Sequence, residues 1–325
     1  MSRYYKIVVG DTVWPNVLPQ GGGAILNAQT VELNLVVAPM HVPDSDGLSF
    51  VRVWGPKREQ ISQASDFNRK SITVYGGMQQ GLPLASAQAT QSGLLVQGII
   101  FAAFGNWQGV NLTLDFVINA NGGSTPSTPV NLVHYWAQGT QLSTAIKSTL
   151  GAAFPLYNID VKISDQLVLP YDDHGVYQDL SQYSTYINGV SKSILGGSYG
   201  GVIITANTGA QTIRVTDNSK NPTNVTKING NDLIGQITWL SVNEIQFTTV
   251  MRSDLQIGDT VSLPQYVYAQ ARTSSSSDSQ ARNALTFTGK FGVSRVQHFG
   301  NSRDPDGMAW VSTYQAYMLP SENSN

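Results

Sequence analysis

TVELNLVV, residues 30–37, sets Val31, Leu33 and Leu35 against Glu32 and Asn34. A period of two points successive side chains to opposite faces of a pleated strand, so this stretch predicts a strand with one buried face. NLTLDFVI, residues 111–118, alternates in the same way. Between and before them lie shorter runs of the same kind. Tyr5 to Val9 stops at Gly10-Asp11, Phe50 to Trp54 is flanked by Gly47 and Gly55-Pro56, and Ser71 to Tyr75 ends at Gly76-Gly77. Leu94 to Phe104 is apolar apart from Gln97 and predicts a strand buried on both faces, and Ile61 to Asn68 predicts one helical turn. Short strands punctuated by turn residues over residues 1–118 predict a β-barrel or sandwich.

The pattern breaks at NANGGSTPSTP, residues 119–129, which has the Gly, Pro, Ser and Thr content of a linker and no apolar periodicity. Residues 130–205 then read as a small α+β unit. Leu142, Ile146, Leu150 and Ala153 recur at helical spacing, with Thr140 or Ser143 as a cap and Pro155 as a stop. Tyr157 to Ile163 alternates as a strand. Asp179 to Leu195 predicts a second helix, with Leu180, Tyr183, Ile187, Val190 and Ile194 on one side and Gly196-Gly197 closing it. Gly201 to Thr205 predicts a further strand.

From residue 206 to 325 the strand pattern returns. Gln211 to Val215, Leu233 to Leu240, Glu244 to Val250, Asp259 to Leu263, Leu285 to Val296 and Met308 to Met318 are the candidates. TSSSSDSQ, residues 273–280, reads as a loop between two of them, and Pro320 to Asn325 as a frayed tail.

Composition narrows the function. Of 325 residues only 12% are charged, and the net charge is −2. A non-specific nucleic-acid binder needs clustered Lys and Arg to displace counterions, so that class is disfavoured. Ser, Thr, Asn and Gln keep the surface polar instead. There are no cysteines, which excludes disulfides, thiolate zinc sites and a cysteine nucleophile. The most apolar stretch, GLLVQGIIFAAFG at residues 93–105, is shorter than the roughly 20 residues a spanning helix needs, so no membrane anchor is expected. The apolar part of the N-terminus is too short for a signal-peptide core.

Motifs for catalysis are sparse. His41, His134, His174 and His298 stand at no ligand spacing to one another. Asp172-Asp173-His174 is the nearest approach to an acid/base or metal cluster, and it also reads as a solvated turn after a strand at Gln166 to Leu169. Gly21-Gly22-Gly23 reads as a loop. Gly196 to Gly201 follows a helix and precedes a strand, the reverse of a phosphate cradle, and lacks its lysine. Other carboxylates sit in turn contexts such as Asp44-Ser45-Asp46-Gly47 and Asp304-Pro305-Asp306-Gly307. Trp14, Trp54, Trp107, Trp136, Trp239 and Trp310 suit core or interface anchoring, with a sugar-stacking platform as the alternative. No catalytic, cofactor-binding or metal-binding residue is assigned, and no cofactor is expected.

Two sets of segments carry a resemblance. The first is YYKIVVG (4–10), SFVRVWGP (49–56), ITVYGGM (72–78) and LLVQGIIFAAFGNW (94–107). The second is LIGQITWLS (233–241), MRSDLQIGDTVSLP (251–264) and FTGKFGVSRVQHFGNSRDPDGMAW (287–310). In this order they resemble baseplate hub proteins of contractile-tailed bacteriophages. The resemblance implies a mainly β fold with an α+β insertion. Two β-barrel-like tube domains, residues 1–118 and 206–325, flank the linker and the α+β domain.

It also implies a non-enzymatic, structural virion protein, assembled in the host cytoplasm into the tail baseplate as a homotrimer. Six tube domains would form a ring joining tail tube to spike, with other baseplate proteins outside and DNA passing transiently through the lumen. Some members carry a fused cell-wall hydrolase, and here no segment is left over to house one. The alternatives are a tail-associated cell-wall hydrolase using Asp172, Asp173 or Asp304, and a carbohydrate-binding host-recognition module using exposed tryptophans.

Overall fold

The computed structural model describes residues 3–14, 29–42, 49–78, 92–119, 130–196, 199–207, 211–217, 225–241, 243–264, 287 and 289–319. The linker proper (120–129), Gly21-Gly22-Gly23, Asp44 to Gly47, the serine-rich loop and the C-terminal tail lie outside them.

Seven strands make the N-terminal β unit: β1 (Arg3–Val9), β2 (Thr12–Trp14), β3 (Thr30–Val37), β4 (Ser49–Trp54), β5 (Ser71–Met78), β6 (Gly93–Gln108) and β7 (Asn111–Asn119). They pair in the order β3-β4-β7-β6-β5-β1-β2, each pair antiparallel. A short helix, α1 (Arg58–Ser62), and the 3-10 turn Ala64–Phe67 lie between β4 and β5, where one helical turn is predicted. The inward rows converge on one core: Ile7 from β1, Leu33 from β3, Val51 from β4, Ile72 from β5, Ile100 from β6 and Phe116 from β7. Trp14 in β2, at one end of the path, packs 5.6 Å from Phe116 in β7, with three strands between them in the pairing order. The sheet therefore curls into a barrel-like wrap, although the pairings do not close among the described residues.

β6 departs from expectation. Its inward residues Val96, Ile100 and Ala103 are buried, but Phe101, Phe104 and Trp107 face solvent. A bulge between Ile100 and Ala102 rotates Phe101 outward. The largely apolar run thus reports two faces, one of which the described residues leave exposed at Phe101 and Phe104.

The α+β unit packs β8 (Leu132–Trp136), α2 (Leu142–Ala153), β9 (Asn158–Lys162), β10 (Asp173–Tyr177), α3 (Leu180–Leu195), β11 (Ile203–Asn207) and β12 (Thr212–Thr216). Leu142, Ile146 and Leu150 of α2 and Tyr183 and Ile187 of α3 share its core with Trp136, Ile163 and Ile213. Asp179 caps α3, accepting from the Gln182 amide at 2.8 Å, and Gly196 ends it with a positive φ that a side chain disfavours.

At α2 the cap is Gln141, not Thr140 or Ser143, and makes no side-chain cap bond. The Thr140 hydroxyl is used in the preceding turn, donating to the Ala137 carbonyl at 2.7 Å. The stretch Gln166 to Leu169 makes only a single bridge, Val168 to Gln141, rather than a strand. The run Gln211 to Val215, read with the C-terminal β segment, belongs here. It is the central strand of a three-stranded sheet, antiparallel to β11 and parallel to β9. Its own alternation shows a strand and carries no signal for which sheet it joins.

The C-terminal unit contains β13 (Val225–Lys227), β14 (Thr238–Trp239), β15 (Glu244–Val250), β16 (Thr260–Ser262), β17 (Lys290–Asn301) and β18 (Trp310–Met318). Phe247, Phe291, Val293 and Tyr314 lie at its core. The predicted strand at Leu233 to Leu240 is reduced to β14 and a bridge from Leu233 to Thr249, because Gly235 takes a left-handed conformation and breaks the run.

The two β units share one sheet. β17 pairs antiparallel with β3, from Val296↔Val37 to Asn301↔Glu32. The described fold is mainly β with an α+β insertion, built around three cores. The insertion is pinned at the loop after β3, where Met40 enters its core and is bonded to Ile204 and Ser181.

Candidate functional site

Asp172-Asp173-His174 does not converge on one ligand. Asp172 accepts from the Gln138 amide at 2.7 Å in an exposed turn. Asp173 and His174 begin β10 and point to opposite faces, as successive strand residues must. Asp173 accepts from the Tyr186 hydroxyl, while His174 is exposed opposite Tyr135. Asp304 serves a turn: its side chain accepts from the Asp306 amide, and the carbonyls of residues 301, 304 and 306 receive the Arg3 guanidinium. None of these carboxylates meets a second one across a cleft.

The remaining histidines are structural neighbours of polar groups. His134 Nδ1 lies 3.0 Å from Thr149 Oγ1 and 3.1 Å from the Tyr183 hydroxyl in the α+β core. Burial lowers its pKa, partly offset by the Asp173 charge. His298 is bonded to Ser312 Oγ at 2.7 Å and is held by burial at about 4, so it is neutral at pH 7. His41 is also lowered, by burial and by the Lys192 charge. Among the described residues no group of three His, Asp or Glu is placed to hold a metal ion.

Two arginines, Arg52 and Arg252, form the most buried ionic contacts among the described residues. Arg52 on β4 makes a bidentate pair with Asp115 on β7 at 2.7 and 2.9 Å. Arg252 forms another with Asp254 at 2.6 and 2.5 Å, with Asp232 at 3.9 Å. Burial alone would lower the Arg252 pKa, but the Asp254 hydrogen bond and carboxylate charges outweigh it and the net direction is upward. The Arg52–Asp115 pair ties β4 to β7, while the Arg252 Nη1 is buried without a hydrogen-bond partner and meets Asp232 only at 3.9 Å.

A cavity of about 280 Å³ lies where the three units meet. Leu95 and Gln97 line it from the N-terminal unit, Thr205 and Arg214 from the α+β unit, and Gln256 and His298 from the C-terminal unit. With His298 neutral, Arg214 is the only charged residue among the described ones that line it.

The tryptophans do not form a platform. Trp14 and Trp310 are buried in the N-terminal core and Trp136 in the α+β core. Trp54 and Trp239 are partly buried. Only Trp107 is exposed, at the end of the β6–β7 hairpin beside Phe104 and Val110. A second apolar patch lies on the outer face of the β8–β10 pair, at Val133, Tyr135 and Val176. The surface is thus richer in contact features than in chemical ones. The sequence reading missed β8 and β10 because both faces of these short strands carry apolar residues, which erases the polar–apolar alternation. No described helix is long and apolar enough to cross a membrane.

No protein-family model matches the chain, and no curated protein matches it in sequence. Solved structures do. The chain is similar to the 43 kDa tail protein of prophage MuSo2 from Shewanella oneidensis, with a TM-score of 0.52 and 8% identity over 98% of this chain and 97% of that one. A tail protein from Neisseria meningitidis MC58 aligns over 98% and 97% at 10% identity and a TM-score of 0.49. An E. coli type VI secretion component, c3393, aligns over 90% and 73% at 7% identity and a TM-score of 0.45. The chain therefore shares the fold of the MuSo2 tail protein over nearly its whole length.

Proposed function

We propose that this chain is a structural protein of a contractile-tail baseplate: its central hub, present as a homotrimer. The observation that carries the reading is the end-to-end likeness of its fold to the MuSo2 tail protein. The single chain offers two barrel-like β units joined through β3 and β17. Three chains then supply six such units, as a ring continuing a tube of six-fold character requires. In this arrangement residues 1–118 and 206–325, apart from β12, form the ring, with the tail tube above and the spike below. The α+β unit, its sheet completed by β12, faces other baseplate proteins outside.

The lumen passes DNA transiently and is polar and near neutral, since a basic lining would hold phosphate. With 19 Lys and Arg against 21 Asp and Glu, the chain has no basic excess to place there. The reading assigns no catalysis, because the candidate carboxylates are engaged in turns and strand contacts. It places the chain in the virion tail after assembly in the host cytoplasm. Immunogold labelling of isolated tails with antibody against this chain tests the assignment. Label at the distal end of the tail is expected, and label along the sheath or in the head overturns it.

A further inference from the structure

The cavity where the three units meet carries one unspent cation. Arg214 on β12 and Thr205 on β11 are directly opposed across their ladder, so both lie on the same face of the α+β sheet and line the cavity. The carboxylates nearest to Arg214 are engaged elsewhere. Asp160, its neighbour on β9, holds Lys162 at 2.8 Å. Asp259 feels the Arg214 charge, but its side chain accepts from the Gln256 amide at 2.8 Å. Among the described residues no hydrogen bond reaches the Arg214 guanidinium. Its N–H donors are left for an acceptor that the chain does not supply.

The walls facing Arg214 are aliphatic and fixed in place. Leu95, Leu255, Ile257 and Val296 line the cavity from the β units, and all four are buried. Leu95 occupies the space that Gly76 leaves free, where a Cβ would lie 2.5 Å from the Leu95 Cδ1. Gly93 admits Ser253 in the same way, since a Cβ there would lie 2.7 Å from the Ser253 Oγ. On the sheet side, a Cβ on the left-handed Gly258 would meet the Thr216 Cγ2 at 3.1 Å. These close approaches set the cavity's shape before anything enters it, which lowers the entropy cost of binding.

We propose that this cavity binds a small organic carboxylate, its charged head on Arg214 beside Thr205 and its aliphatic body against Leu95, Leu255 and Ile257. The planar guanidinium fork matches a carboxylate, and one free positive charge balances a monoanion rather than a dianion. The volume of about 280 Å³ lies just under the roughly 300 Å³ at which drug-sized sites begin, so it suits a short molecule. The proposal does not rest on the hub reading, which gives the cavity no occupant. A ligand here would touch all three units and tie them together.

Saturation-transfer NMR on the purified full chain tests this, with hexanoate and its uncharged isostere hexanamide as probes. Hexanoate should bind, and hexanamide at least about tenfold more weakly, because it offers no charged acceptor. Arg214→Gln should remove that preference, and Arg214→Lys should keep part of it. The melting temperatures of both unliganded variants should match wild type, since the guanidinium makes no hydrogen bond to lose. Hexanoate should raise the melting temperature of wild type and leave Arg214→Gln unmoved. Equal binding of the two probes, no transfer from millimolar hexanoate, or wild-type hexanoate binding by Arg214→Gln overturns the proposal. The first two results need no variant, so the proposal stays testable even if Arg214→Gln misfolds.

Discussion

The indole of Trp310, near the C-terminal end of the chain, donates to the carbonyl of Gly77 in the N-terminal unit at 2.9 Å. Trp310 lies in the core of that N-terminal unit although it begins β18 of the other. Tyr5 packs edge-on to it at 6.0 Å, and Arg3 lies over the same ring at 5.7 Å. Together with the β3–β17 ladder, this makes the two β units one mechanical body. Loss of either seam should be felt in both.

Trp310→Ala should therefore destabilise the chain by about 3–5 kcal/mol, as for other large-to-small changes in a core. The loss should appear in a single urea transition shared by both β units. Gly300→Ala probes the same seam from β17, where a Cβ would sit 2.7 Å from the Trp310 ring. It should cost about 1–3 kcal/mol through overpacking. Two separate transitions, one for each unit, would show that the units are independent.

The three-stranded sheet of the α+β unit sets a sharp boundary for a fragment. β12 is its middle strand, so without it β9 and β11 both lose their partner. A fragment of residues 130–217 should melt cooperatively, and one of residues 130–205 should not. Circular dichroism melts of the two decide this, and equal melts would mean that β12 contributes nothing to the unit.

Acid should weaken the fold through His298. Its folded pKa of about 4 lies below the ordinary value of 6.5. The unfolded chain thus takes up a proton that the native chain refuses. The stability this histidine lends is whole above about pH 6.5 and falls as pH drops toward 4, by up to about 3 kcal/mol at 1.4 kcal/mol per pH unit. His134 and His41 shift the same way and add to the slope. Raised carboxylates such as Glu244 and Asp259 act in the opposite sense. The difference between wild type and His298→Gln in urea titrations from pH 7 to pH 4 isolates the histidine. A parallel pair of curves would contradict its buried, neutral state.

Purified protein should carry no stoichiometric zinc and should leave cell-wall substrate uncleared in a zymogram. Clearing that vanishes on Asp172→Ala would transfer the chain to the hydrolase class.

What could be read from residues alone divides along a physical line. Strands with one polar face announce themselves, and Thr30 to Val37 and Glu244 to Val250 lie where their alternation puts them. Amphipathic helices do the same, because α2 and α3 each bury one stripe. Partner choice is not local. Nothing in Thr212 to Thr216 states that it joins β9 rather than the strands that follow it. The outward Phe101 and Phe104 looked like core because they have the same apolar composition as the buried row of β6. No catalytic site was legible, and the Asp172-Asp173-His174 triplet lost its coherence once strand geometry sent its side chains apart.

A reconstruction of the assembled baseplate, refined without imposed symmetry, measures the copy number and placement of this chain directly. Three copies are expected, each giving two β units to a ring of six, with the α+β units outside. Six equivalent copies in one ring, a single copy, or α+β units lining the channel would contradict the trimeric hub.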